Sequence, residues 1–379
     1  LEFMAVECCS TPADRRALPA HFAQAFDTIA AMSEAEHYNY ELPSNLIAQE
    51  PLAKRSDARL LVVRRSDGAI THRHVRDLAD LLRPHDLIVV NDTRVVPARL
   101  IGRRMQTGGR WQGLFVRIDA SGAWQLLAHT RGRLALGEQV MLVDRAGVDR
   151  VVLNLVSRAP GGTWLAVPES NESVGSLLLA VGRVPLPGYI RGGREHAGDS
   201  ERYQTVFART NGAAAAPTAG LHFTEELLAE LAARQIAHAS VTLHVGLDTF
   251  RPITADKLAD HPMHSEWCEC LPETVEAVRA TQRRGGRIIA IGTTAVRTLE
   301  TASQSGVIGE WSGPTDLFIK PGFAFRTVDC LLTNFHMPRT TLMVLVSAFA
   351  SRSLVARAYN EAIREAYRFL SYGDAMLIE

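Results

Sequence analysis

Long hydrophobic runs are missing from this chain. The most apolar stretch, Leu342 to Ala350, is far shorter than the roughly 20 residues a membrane-spanning helix needs. Cysteine is scarce as well: Cys8, Cys9, Cys268, Cys270 and Cys330. Their odd number and spacing fit neither a disulfide framework nor a zinc knuckle, and Cys268-Glu269-Cys270 is too tight for a standard tetrahedral site. Reduced thiols are therefore expected. A charge excess of either sign is absent, with Lys+Arg and Asp+Glu both at 41, which argues against a sequence-independent nucleic-acid binder. Aromatic and basic residues never interleave densely on one strand, as they do in single-strand binding modules. No G-x-G-x-x-G joins a strand to a helix, which argues against a conventional methyltransferase. No secretory pattern opens the sequence as given, so a cytoplasmic protein without a membrane partner is expected; Leu1-Glu2-Phe3 ahead of Met4 reads as a cloning remnant.

What is present suggests a two-domain enzyme. At 379 residues with 46% hydrophobic residues, the chain exceeds one ordinary core. Residues 1–36 read as a loosely docked extension with a short helix at Phe22 to Ala31. From residue 37 the grammar is α/β: strands at Arg59–Val63 and Ile70–Val75, a helix over 75–82, and a buried strand at Asp86–Val90 ending at Asn91-Asp92. Between residues 99 and 168 six short strands are divided by glycine turns, the pattern of a small antiparallel barrel. Helices and strands alternate again from Pro185. Thr224 and Pro272 start helices, Ala239–Val245 and Val328–Leu332 are strands, Arg287–Gly292 is a strand leading into a helix at Thr294, and helices are expected at Thr340–Ala350 and Ser353–Leu370. The fold class is therefore α/β. A larger mixed domain (37–98 and 169–379) carries an inserted antiparallel β-barrel domain (99–168).

Several segments combine small residues, hydroxyls and single ionisable groups at strand ends, the makings of a polar active site. They are Ala216 to Thr224, Thr242 to Gly246, Gly292 to Glu300, Thr333 to His336 and Ser371 to Met376. His222, His244, His264 and His336 are the proton-transfer candidates, because imidazole titrates near neutrality; each is alternatively a structural histidine. Asp92, Glu266, Glu300 and Asp374 are the acidic candidates. Asp92 has turn capping as its alternative role, and Glu300 an intrahelical pair with Arg297. Arg94, Arg99 and Arg297 suit a carboxylate or phosphate. Thr293 and Thr294 open a helix whose free N–H groups favour an anion. Thr218 and Asn334 add polar contacts. Tyr189, Tyr203, Phe223, Phe335 and Tyr372 are candidates for stacking on a base. Arginine pairs and clusters recur at 103–104, 131 and 133, 191 and 194, and 279–287.

Taken in order, these segments resemble one family, the S-adenosylmethionine:tRNA ribosyltransferase-isomerases of queuosine biosynthesis. The likeness also takes in Tyr38 to Pro43, Leu46 to Gln49, Asn91 to Arg99, Tyr203-Gln204-Thr205 and His264-Ser265-Glu266. The resemblance implies the same inserted barrel. It also implies transfer of the ribosyl unit of S-adenosylmethionine, a co-substrate, to 7-aminomethyl-7-deazaguanine at the wobble position of tRNA. Epoxyqueuosine-tRNA would form, and adenine and methionine would leave. Neither a metal nor a prosthetic group is implied, nor an obligate protein partner. Such chemistry needs a base for the C5′ hydrogens beside the sulfonium, an acid for adenine, a neutral attacking amine and a grip on methionine; the residues leave open which histidine is the base. The chain departs from the family at Asp248, where glycine is usual, at Gly188, where proline is usual, and at Gly212-Ala213-Ala214, where a Gly-Ser-Val-like run is usual.

Overall fold

The computed structural model describes residues 33–246 and 252–379. Asp248 and the expected helix at Phe22 to Ala31 lie outside the described residues.

The chain enters with β1 (Arg59–Val63) and returns as β2 (Ile70–His74). β3 (Leu87–Asn91) is buried along its whole length, and the short β4 (Thr93–Val95) follows. Six strands then close a barrel: β5 (Arg99–Arg104), β6 (Arg110–Ile118), β7 (Trp124–Thr130), β8 (Gln139–Val143), β9 (Asp149–Ala159) and β10 (Thr163–Pro168). Their order is β5-β6-β7-β10-β9-β8, with β8 pairing back onto β5, and every pair is antiparallel. Period-two alternation turns Val151, Leu153 and Leu155 inward against Trp111, Trp124 and Trp164. The barrel core also takes Leu177, Leu178 and Val181 from the helix Val174–Val181. After that helix, β11 (Gly182–Arg183) pairs with β5 where the excursion began.

The remaining strands are β12 (Thr210–Ala213), parallel to β4, then β13 (Ala237–Leu243), β14 (Glu266–Cys270), β15 (Ile288–Ile291), β16 (Trp311–Thr315), β17 (Cys330–Asn334) and β18 (Ala375–Ile378). Nine strands form one sheet, β16-β14-β13-β3-β15-β17-β18-β1-β2. Its middle strands β13, β3, β15 and β17 run parallel. Both faces are covered, which explains their near-continuous apolar character. Leu87, Val89, Ile288 and Ala290 meet the helices Pro272–Arg283, Thr293–Ala302, Thr341–Ala350 and Arg352–Arg364 on one face. Ile88, Val90, Ile289 and Ile291 meet Leu78–Leu81 and Glu225–Ala233 on the other.

Two expectations need correction. The last helix stops at Arg364 rather than continuing to Leu370, because Ala366 and Leu370 take positive φ (50° and 69°) and Tyr367 and Phe369 turn into the core. Strands β14, β16 and β18 were not expected, being short and either polar or embedded among site-like residues. The described thiols Cys268, Cys270 and Cys330 are free and buried, and burial pushes them up to about 11, 12 and 11, the behaviour of inert core thiols. Among the described residues no single helix is long and apolar enough to cross a membrane.

Candidate functional site

Strand direction gathers the polar residues on one edge. The carboxyl ends of β3, β13, β15 and β17 emerge together, the usual site edge of an α/β sheet. They deliver Asn91-Asp92, His244, Thr293-Thr294 and Asn334. Strands β14 and β18 run antiparallel to β13 and β17 and so begin at that edge, with Glu266 and Asp374 at their starts.

A cavity of about 830 Å³ opens between this edge and the outer wall of barrel strands β6 and β7. Its volume falls in the usual range for small-molecule sites. On the sheet side it is lined by Gly212, His244, Gly246, His264 and Glu266. On the barrel side Val116 and Ile118 present apolar surface, each about 45% exposed.

His244 is fixed from three directions. Its Nδ1 lies 2.8 Å from Thr93 Oγ1. Its ring stacks on Trp267, with centroids 5.2 Å apart and planes at 18°. Gly212 passes so closely that a Cβ there would sit 2.6 Å from His244 Cε1. Burial lowers the pKa of His244, and the opposing charges of Asp92 and Glu269 do not fully offset this. Asp92 itself receives Thr242 Oγ1 at 2.7 Å and Arg209 at 3.0 Å. It is a buried, paired carboxylate beside His244, not part of the cavity wall.

Glu266 and Arg297 form an ion pair with both side chains about 3% exposed. Glu266 Oε1 accepts from the Gly246 N–H at 2.9 Å, and His264 Nε2 lies 3.4 Å from Oε2, the oxygen that meets Arg297. Burial alone would raise the carboxyl. His264, Arg297 and the Gly246 amide outweigh it and hold Glu266 near 2. At neutral pH it is a fixed anion and a poor proton acceptor.

The other two histidines lie in closed interior. His222 ends the 3₁₀ turn Thr218–His222; the Asn334 side-chain amide reaches its Nε2 (3.2 Å) and donates to the Leu370 carbonyl, while Thr218 donates to Asn334 at 2.9 Å. Burial, with Arg368 and Arg55 nearby, pushes His222 down to about 4. His336 contacts Thr333 Oγ1 through Nε2 at 2.8 Å, its N–H donates to the Tyr359 hydroxyl, and Tyr40 donates to its carbonyl. Burial takes it to about 3. The spaces beside the two imidazoles are about 20 Å³ each, room for a water but not a nucleoside. The four candidate histidines therefore divide: His244 and His264 face the cleft, His222 and His336 do not.

The remaining candidates scatter. Asp374 accepts from the Arg59 and Arg368 backbone N–H groups (2.9 and 2.7 Å), pinning the entry to β18. Glu300 does not pair with Arg297; it receives the amides of Arg326, Thr327 and Val328 at 2.9–3.0 Å. Phe223 packs on Phe207, and Phe335 on Tyr359, Tyr367 and Phe369; both are fully buried. Tyr189 bonds Ser371 at 2.8 Å, and Tyr203 meets Tyr372 edge-on in the interior. Thr293 and Thr294 start the helix Thr293–Ala302 behind the cleft. Arg94 reaches the Ala208 carbonyl, and Arg99 the Gly193 carbonyl at the barrel root. Sequence patterning did not single out Trp267, Val116 or Ile118 as site-lining, nor the buried Thr93 as the partner of His244. For Trp267 a signal existed: it follows His264-Ser265-Glu266 directly.

Known proteins agree with this architecture. A sequence model of the family described as "Queuosine biosynthesis protein" matches residues 35–378. An S-adenosylmethionine:tRNA ribosyltransferase-isomerase from Symbiobacterium thermophilum is 47% identical over 344 residues, covering 90% of this chain and 98% of that protein. The crystal structure of an S-adenosylmethionine tRNA ribosyltransferase from Thermotoga maritima is 34% identical, covers 90% of this chain and 100% of that one, and superposes with a TM-score of 0.52. With a mixed sheet, a closed barrel and a polar cleft between them, and with the match running along nearly its whole length, the chain belongs to the queuosine biosynthesis protein family.

Proposed function

We propose that this protein is an S-adenosylmethionine:tRNA ribosyltransferase-isomerase. It transfers the ribosyl unit of S-adenosylmethionine to the aminomethyl group of a 7-deazaguanine base at the tRNA wobble position and rearranges it to an epoxy-cyclopentane. The observation that carries this reading is the cleft of about 830 Å³ in which His244, His264 and Glu266 oppose a barrel wall that presents Val116 and Ile118 with Arg117 and Gln125 beside them, in a chain of this family.

Bond by bond, the base takes a C5′ proton beside the sulfonium. Adenine leaves with the electron pair of its glycosidic bond and takes up a proton. The C4′–O4′ bond breaks as the amine bonds C4′ and loses a proton. The C5′ electron pair closes the carbocycle on C1′, and the former ring oxygen bonds C5′ as methionine leaves with the C5′–S pair, which discharges the sulfonium and completes the epoxide. His244 is our assignment for the base. Burial keeps its imidazole neutral at pH 7. The Thr93 hydroxyl donates to the Thr210 carbonyl at 3.4 Å, so Nδ1–H donates to Thr93 and Nε2 carries the free lone pair. His264, beside the ionised Glu266, is the group assigned to the departing adenine. Val116 and Ile118 supply a dry wall for the base, and aromatic Trp267 holds the imidazole plane.

Adenine release, measured with and without tRNA carrying the aminomethyl-deazaguanine base, tests the reading. Release that requires the modified tRNA and disappears in His244→Ala is expected. Release indifferent to tRNA, or none at all, would overturn it.

A further inference from the structure

The cleft continues beyond the catalytic edge. Leu114 and Leu127, cross-strand partners on β6 and β7, line both the cleft and a neighbouring hollow of about 330 Å³. Arg99 and Gly193 line both that hollow and a third depression of about 530 Å³ at the barrel root. The three spaces therefore form one track across the outside of the barrel where it meets the main sheet's unit.

The far end of the track is cationic. Arg99 from β5, Arg145 from the β8–β9 turn, Arg183 from β11 and Arg194 from the following loop converge there, with Glu195 as the acidic residue in the lining. Arg145 lies 3.5 Å from Glu195. The other three have no carboxylate within ion-pair distance among the described residues. Arg183 spends its donors on the carbonyls of Val143, Val181 and Asp144, and Arg99 on the Gly193 carbonyl and Gln112. Arg183 is depressed by burial and further by the like charges of Arg145 and Arg99, with Glu195 and Asp144 only partly compensating. Some arginines elsewhere are neutralised locally, Arg103 by Asp149, Arg104 by Glu138, Arg191 by Asp199 and Arg287 by Asp86, while others, such as Arg55, Arg94 and Arg326, bond backbone carbonyls; the barrel root is where four line one depression. In a chain with no net charge, four arginines lining one groove with a single carboxylate among them have the electrostatics of a polyanion site. Planar guanidinium forks suit phosphate in particular.

We propose that this track seats the RNA backbone. The modified base enters the cleft, the neighbouring nucleotides cross the Leu114–Leu127 hollow, and their phosphodiesters are held by Arg99, Arg145, Arg183 and Arg194. The inference rests on the tRNA-modifying reading above and assigns that substrate a surface. Arg99, Arg145 and Arg183 belong to the barrel and the short strand paired with it, and Arg194 to the loop that follows, so the cationic end of the groove lies mainly on the barrel. It thereby gives the barrel a role in binding.

The double variant Arg145→Gln/Arg194→Gln tests the proposal, because both side chains are exposed and their loss leaves the cores intact; Arg183→Gln is the stronger second variant, read only if it melts as the wild type does. The expected result is a rise of at least tenfold in KM for tRNA at about 0.15 M salt. The log-log salt slope of tRNA affinity should be shallower by about 1.5, some 0.7–0.9 per phosphate contact removed. KM for S-adenosylmethionine and kcat at saturating tRNA should stay within twofold. Unchanged tRNA KM and salt slope in the double variant, with tRNA-dependent adenine release intact in the wild type, would overturn the track alone. Absence of that release from the wild type would overturn the functional reading and the track together.

Discussion

Arg297, on the helix behind the cleft, and Glu266, at the start of β14, neutralise each other almost entirely out of solvent. The pair connects a helix to a strand at the cleft floor, and the carboxylate also anchors the Gly246 amide. A buried pair of this kind is costly to break from one side, because the survivor is left charged and unsatisfied. Arg297→Met should destabilise the protein by about 3–5 kcal/mol, whereas Arg297→Met combined with Glu266→Gln should recover more than half of that. Denaturant unfolding of the two singles and the double measures it; additive losses would show that the residues do not act as a pair.

Acid should unfold this protein by a traceable route. His222 and His336 are held near 4 and 3, below an ordinary value of 6.5, so between those limits the unfolded chain binds protons that the folded one refuses. Their contribution is full above about pH 6.5 and falls away as pH drops toward 4 and then 3. Glu266, held near 2 against an ordinary 4.5, adds stability above 4.5 that is lost as pH falls toward 2. All three slopes have the same sign. Unfolding free energy should therefore decline steadily from pH 7 to pH 4, and His336→Gln should flatten the curve. A variant curve parallel to the wild type's would remove His336 from the account.

Substitution should separate the histidines by phenotype. His244→Ala is expected to lose at least a hundredfold in kcat with little change in melting temperature, since the ring borders a cavity. His222→Ala should lower the melting temperature by several degrees, since it removes the ring from a closed hydrogen-bond cluster. If His244→Ala unfolds while His222→Ala is merely inactive, the two assignments are exchanged.

Gly212 offers a subtler probe. A methyl group there would meet the His244 ring at 2.6 Å, so Gly212→Ala should displace the imidazole from Thr93 and Trp267. A fall in kcat of tenfold or more, with a shifted pH-rate profile and a native melting curve, is the expected signature. Unaltered kinetics would mean the ring position is not critical.

Much of the scaffold was readable in the residues because it depends on local period. The apolar block Leu87–Val90, the alternation Val151, Leu153, Leu155, the Thr224 cap and the proline opening Pro272–Arg283 all carry their own signals. Strands β14 and β16 were opaque because Glu-Trp-Cys-Glu-Cys and Trp-Ser-Gly-Pro-Thr are strands only by virtue of their neighbours. The candidate site was legible as a set of residue types but not as a geometry. Four histidines look equivalent in one dimension; whether each faces an open cleft or a water-sized gap depends on how the sheet edge and barrel meet. Glu300 illustrates the same limit. Its helical spacing to Arg297 permits a pair, yet its actual partners are three amides more than twenty residues downstream.

The position of β18 also sets an order of assembly. This strand lies between β17 and β1, and Asp374 just before it bonds the Arg59 amide across 315 residues. On the ribosome the β1–β2 hairpin emerges early but has no sheet to join until residues 375–378 have left the exit tunnel. The barrel takes all its pairings from residues 99–183 and is complete long before. Synthesis should therefore pass through a stage in which a finished barrel hangs from an open sheet, its first hairpin waiting for β18. A chaperone that shields apolar strands would have the most to protect during that interval.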